Sequence, residues 1–237
     1  MDIKKIVTAT TVLFSLSSFA SSAGYSKKNL TELQKAFFEN KGRSIASITK
    51  FSTSDMGVES SESGTLTANP ILRNFSEVNE RKMRAAIQLL ERVVNSDEFK
   101  EAVLNFTYAG KSEYVQNNGM TNEQIYQHLM TGKENLYPEV DLEMDLDVSL
   151  YKQSWGRCSV VGYTTPSSPR IYVNRCFFNG FELQEVAGNL FHEWVHKMGF
   201  GHDFKPTTRR PFSVPYALGY LVRTIGAKYN NEVFTEN

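Results

Sequence analysis

Apolar positions along this chain follow two periods, and the switches between them outline the elements. In "SEVNERKMRAAIQLLERVV", Met83, Ile87, Leu90 and Val94 recur at helical spacing, so a long amphipathic helix is expected over about 77 to 95. Asp97 is placed to cap a short continuation through Leu104. Thr121 and Gln124 form a capping-box pattern for a further helix, running to about Met130 and stopped by Gly132, with His128 read as a surface histidine. The period then drops to two: in "VDLEMDLDVSLY", Val140, Leu142, Met144, Leu146, Val148 and Leu150 alternate with polar, mostly acidic residues. This predicts a strand with one core face and one solvated face. Two more β-rich runs, about 157 to 163 and 170 to 175, flank a Thr/Pro/Ser turn. After Gly180 the helical period returns, and Leu183, Val186, Ala187, Leu190, Phe191, Trp194, Val195 and Met198 define the apolar stripe of one buried helix. Helix, strands, then helix is the order of an α+β or α/β layer packed on one side of a sheet.

The ends of the chain read differently. "MDIKKIVTATTVLFSLSSFASSAGYS" has Lys4 and Lys5, an apolar run from Ile6 to Leu16 and then small residues, the layout of a secretory signal peptide over residues 1–23. Cleavage is expected after Ala23, with Ala20 as second choice. The apolar run is far shorter than the ~20 residues of a membrane span, so no stable membrane insertion is expected and the product is exported, periplasmic or extracellular. Residues 24–69 are polar and Ser-rich, a linker or pro-segment, which leaves 70–237 as the main domain, its N-terminal part to about 202 and its C-terminal part 203–237. The chain's 26 basic and 26 acidic residues cancel, so nothing in its charge calls for nucleic acid. Export gives meaning to the two cysteines. Cys158 and Cys176 flank the two β-rich runs and are expected to form a disulfide across a hairpin; the competing use is a thiolate that caps a metal.

The chemistry is concentrated in "HEWVHKMGFGH", which places three of the four histidines within eleven positions. His192 and His196 stand four apart on the last helix, on its same side, where two imidazoles can share one divalent ion. They sit opposite the apolar stripe, beside Gly188, Asn189 and Glu193. Gly188 costs about 1 kcal/mol relative to Ala inside a helix, a cost that a close approach by substrate or strand, or tight packing, would explain. Gly199 is placed to adopt the left-handed conformation that ends the helix, letting His202 return as third ligand. Glu193 can then stand over a fourth, open position as general base, and three protein ligands with one open position make a catalytic zinc site.

All six fixed positions of H-E-x-x-H-x-x-G-x-x-H are present, so the segment resembles the metzincin zinc endopeptidases. The resemblance implies Zn²⁺ on His192, His196 and His202, Glu193 as general base and proton donor, and Gly199 as the structural turn. It also implies an α+β, metzincin-like mixed twisted sheet with a long backing helix, an active-site helix and a small C-terminal subdomain. The strand near Ser159 to Gly162 would then be the cleft edge that takes an extended peptide. One element departs from the pattern: no methionine follows Met198. In "RRPFSVPYALGY", Val214 or Pro215 stands where the family has its methionine turn, and Tyr216 is the candidate for polarising the substrate carbonyl or stabilising the oxyanion. Asp203 is a candidate for orienting its neighbour His202. The expectation is a secreted zinc endopeptidase acting on a protein or peptide substrate. The alternatives are a zinc amidase acting on cell-wall peptide, or a non-catalytic exported zinc-containing binding protein.

Overall fold

The computed structural model describes residues 64–152 and 160–233, the side chains as far as Tyr229. The expected signal peptide, most of the Ser-rich segment and Cys158 lie outside the described residues.

The chain forms a mixed α+β fold. Strand β1 (Thr67–Arg73) leads into α1 (Glu77–Val94), α2 (Asp97–Leu104) and α3 (Asn122–Leu129), then β2 (Glu143–Tyr151), β3 (Gly162–Tyr163) and β4 (Arg170–Asn174). Helices α4 (Arg175–Gly180), α5 (Leu183–Lys197) and α6 (Val214–Val233) complete the described part, with a 3-10 turn over Arg210–Phe212. The four strands lie in the order β1-β2-β4-β3. β1 and β4 each run parallel to β2, while β3 is an antiparallel edge strand on β4.

Helix α1 forms where its period predicts, and Met83, Ile87, Leu90 and Val94 are all buried. Ser76 caps it, accepting from the backbone N–H of Asn79. The cap of α2 is Ser96, which accepts from the N–H of Phe99; the expected cap, Asp97, is the first helical residue instead, where its charge favours the helix N-terminus. The capping box of Thr121 and Gln124 closes in both directions. Strand β2 starts at Glu143, three residues later than the alternation begins, because Leu142 has φ +61 and the Asp141 carboxylate accepts from the Glu143 N–H. Its acidic face is only partly solvated: Asp147 is held between Arg73 (2.7 Å) and Arg170 (3.3 Å), which keeps its carboxyl below the ordinary value against the opposing effect of burial. Arg175, expected at the end of a strand, opens α4, whose N-cap Asn174 accepts from the N–H of Cys176. Cys176 is therefore on a helix rather than beside a hairpin strand.

Two elements are not expected from the pattern. Strand β1 begins at Thr67, inside the stretch assigned to the linker, and its outer side is secured by α1: Asn95 exchanges two 2.8 Å hydrogen bonds with the Leu66 backbone, and Glu91 accepts from the Ala68 N–H at 2.7 Å. Helix α6 occupies most of the C-terminal part and packs along α5. Helix α5 packs against α6, against α1 and against strands β2, β3 and β4 of the sheet. A buried ion pair fastens its C-terminal end to the centre of the sheet. Lys197 Nζ lies 2.7 Å from Glu134 and also donates to the Asp145 carbonyl, while Glu134 accepts from Trp194 Nε1 at 2.5 Å and from the Asp145 N–H at 3.0 Å. Burial still raises the Glu134 carboxyl above its ordinary value, so the pair is a locating device more than a source of net stability.

Candidate metal centre

The three histidines of the motif converge. His192 is buried, His196 and His202 are half-buried, and one ring nitrogen of each lies within 4.8 Å of the others. His192 and His196 come from successive turns of α5. Met198 caps the helix and Gly199 follows at φ +93, its N–H returning to the His196 carbonyl at 3.0 Å. That left-handed residue redirects the chain and brings His202 back to the two helical imidazoles. The expected turn residue and all three expected ligands are thus in one place.

Each imidazole is oriented by a backbone carbonyl. His196 Nδ1 donates to Phe200 at 2.8 Å, His202 Nδ1 donates to Asp203 at 3.1 Å, and a ring N–H of His192 donates to Pro215. For His196 the proton on Nδ1 leaves Nε2 as a bare lone pair, 3.2 Å from Nε2 of His192. Two nitrogens on one tetrahedral zinc, at bonds of 2.0–2.1 Å, stand about 3.3 Å apart. The donor set fits zinc in type, number and spacing. Burial holds all three imidazoles below their ordinary value, His202 at about 4, and Arg210 adds to the effect by its positive charge. All three are therefore neutral, the form a metal requires, at physiological pH.

Glu193 lies on the cleft side of α5, 4 % exposed. Burial pushes its carboxyl up to about 8, against the lowering effect of the Thr164 N–H, which donates to it. A divalent charge beside it would draw it back toward the ionised form. Gly162 of the edge strand passes over this carboxylate so closely that an added Cβ would lie 3.1 Å from Oε1 and 3.0 Å from Asn189 Nδ2. The glycine lets β3 form the rim directly above the general-base candidate.

The segment "SVPY" has a definite place under the histidines. Ser213 pairs with Val115 and Val214 is fully buried; the Pro215 carbonyl orients His192. The Tyr216 ring packs on His192 (centroids 4.4 Å apart) and on His202 (4.7 Å). A proline carbonyl and a tyrosine face thus support the imidazoles where the family pattern has methionine. The two-way question over Gly188 is answered by packing. Its Cβ would lie 2.6 Å from the Gly219 carbonyl oxygen, and a Cβ on Gly219 would lie 2.8 Å from that of Gly188, so α5 and α6 cross backbone to backbone one turn before His192.

Asp203 does orient His202, but through its backbone carbonyl; its carboxylate accepts from Gln116 Nε2 (2.8 Å) and Thr207 Oγ1 (2.5 Å) instead. His128, expected at the surface, is half-buried, hydrogen-bonded with the Met198 backbone and set edge-on against Phe200, the residue whose carbonyl holds His196. Arg210 is the residue that sequence reasoning missed. It reaches into the site from the 3-10 turn, donating from Nη2 to the Tyr216 hydroxyl at 2.5 Å, and no spacing rule marks it. The three histidines, Glu193, Arg210 and Tyr216 line a cleft of about 660 Å³, together with Phe204, Pro206, Tyr220 and Arg223. No known family model matches the sequence, and no curated protein matches it.

Proposed function

We propose that the protein is a zinc-dependent endopeptidase of metzincin type, exported and carrying a Cys158–Cys176 disulfide. The observation that carries the proposal is the convergence of three neutral, carbonyl-oriented imidazoles beside a buried carboxylate on the floor of an open cleft. A structural zinc site is closed by four protein ligands, whereas here the described residues supply three and leave an approach from the cleft. A structural site also has no use for a carboxyl buried beside its ligands, as Glu193 is.

His192, His196 and His202 would hold the zinc. Bound there, the ion supplies the Lewis-acid charge that makes water acidic at neutral pH and stabilises negative charge on an attacked carbonyl. The chain's own residues do the rest. Glu193 takes the proton from the attacking water and delivers it to the leaving amine, held in place by the Thr164 N–H and the close passage of Gly162. The antiparallel edge strand β3 and its rim residues Val160 and Tyr163 receive an extended peptide by strand addition. Tyr216, against two of the three imidazoles, directs its hydroxyl to the carbonyl oxygen as charge develops.

Metal analysis of the mature protein, with His196→Ala as control, tests the first half, and digestion of unfolded protein substrates tests the second. One zinc per chain, lost in the variant, together with cleavage within the substrate chain is the expected result. Release of cell-wall peptides without digestion of unfolded protein would assign the same chemistry to a different bond.

A further inference from the structure

Arg210 is the one cation in the cleft that no carboxylate neutralises among the described residues. Arg223, at the far end, is paired with Glu185 at 2.5 Å. Arg209 lies 3.7 Å from Asp203. Arg210 instead donates to two neutral oxygens, the Tyr216 hydroxyl at 2.5 Å and, weakly, the Phe204 carbonyl at 3.5 Å, and its Nε–H is buried with no partner. Five donors in a fixed fork are more than these contacts use, and a neutral side chain could make both of them without bringing an unpaired charge to the site. The guanidinium also lies over the Tyr216 ring, 4.8 Å from its centroid, and that ring is in turn 4.7 Å from His202. Only the Tyr216 ring thus links it to His202, which puts it within reach of a substrate residue next to the bond being cleaved, since successive Cα atoms are ~3.8 Å apart.

We propose that Arg210 is a specificity-determining residue that selects substrates carrying a carboxylate one residue from the scissile bond. An acidic side chain and a free C-terminal carboxylate offer the same planar two-oxygen group, which the guanidinium receives bidentately while still holding Tyr216. With Arg223 matched by Glu185, Arg210 gives the cleft beside the histidines its unbalanced positive charge, and a neutral or basic substrate residue would leave that charge unpaired. This inference rests on the cleft being a peptide-binding site, as the endopeptidase reading holds, but not on turnover.

Matched peptides differing only as Glu against Gln on either side of the cleaved bond, or as C-terminal acid against amide, separate the two sources. With zinc-loaded protein, the acid member of one pair is expected to be cleaved with a kcat/KM at least about tenfold higher, expressed in KM. Arg210→Gln should bring that ratio close to one, and Arg210→Lys should keep part of it. The ratio cancels any general loss of activity in a variant. Calorimetric binding of the same peptides to Glu193→Gln, with and without Arg210→Gln, reads the carboxylate without cleavage, so absence of turnover would overturn the protease reading and leave this inference under test. An acid preference that survives Arg210→Gln, or no preference in the unsubstituted protein in either assay, overturns the proposal.

Discussion

Replacing Gly188 with alanine sets two effects of known size against each other. Alanine is favoured over glycine inside a helix by about 1 kcal/mol, so on propensity alone the variant is more stable. The structure argues the opposite. A Cβ at position 188 lies 2.6 Å from the Gly219 carbonyl oxygen and 3.1 Å from Arg223 Cβ. Close-packed backbones keep C···O separations of ~3.3 Å or more, so the overlap is about 0.7 Å, and the atom in the way is main chain that cannot rotate aside. Overpacking of that kind costs about 1–3 kcal/mol, which leaves a net loss on the order of 1 kcal/mol. The strain also reaches the site. Helices α5 and α6 must part, yet α6 carries the Pro215 carbonyl and the Tyr216 ring that orient His192, and loss of such support lowers metal affinity by about 10- to 100-fold. Urea denaturation of the metal-free protein and competitive zinc titration measure the two consequences separately. Gly180→Ala is the control, because an added Cβ there meets nothing within 4 Å. A Gly188→Ala protein that gains about 1 kcal/mol and keeps its zinc affinity would refute the crossing as the reason for the glycine.

Two further outcomes are expected. In the metal-free protein the imidazoles of His192, His196 and His202 are held below their ordinary value, so they favour the fold above pH 6.5 and that contribution is lost as the pH falls toward 4; an NMR titration should place the His202 midpoint near 4, and a midpoint at or above 6.5 would contradict the burial argument. Lys197→Met leaves Glu134 buried without its partner and should cost about 3–5 kcal/mol by chemical denaturation, with Lys197→Met/Glu134→Gln recovering part of the loss; additive losses would show that the pair does not act as a unit.

Much of the site was legible because its spacing is local. The i, i+4 histidines, the glycine turn and the third histidine depend on helix geometry and one left-handed residue, and those need no tertiary information. Helix α1 and strand β2 were legible because their apolar positions keep one period over many residues. Strand β1 was not: its first three residues fell within the stretch assigned to the linker, and its lack of a fully buried residue and its Pro70 are those of an edge strand. Helix α6 was not read from the sequence, where Pro215, Gly219 and Gly226 interrupt its apolar pattern. Gly219 serves the crossing with α5, a pairing between residues 31 positions apart that no local pattern reveals. Arg210 is unmarked for the same reason, since its importance comes from the tyrosine and histidines it meets in space. The supporting role of "SVPY" became visible only once His192 had a carbonyl to donate to.

The central claim is that Glu193 is the general base of a zinc-assisted hydrolysis, and Glu193→Gln tests it most directly. Glutamine matches glutamate in size and keeps hydrogen-bonding capacity toward the Thr164 N–H, but it cannot take a proton from water. The measurement is cleavage of one internally quenched peptide by zinc-loaded protein and by the zinc-loaded variant, with zinc content determined on the same samples. The account predicts one zinc per chain in both and a fall in kcat of at least about 10²-fold in the variant. Equal cleavage at equal zinc content would contradict it.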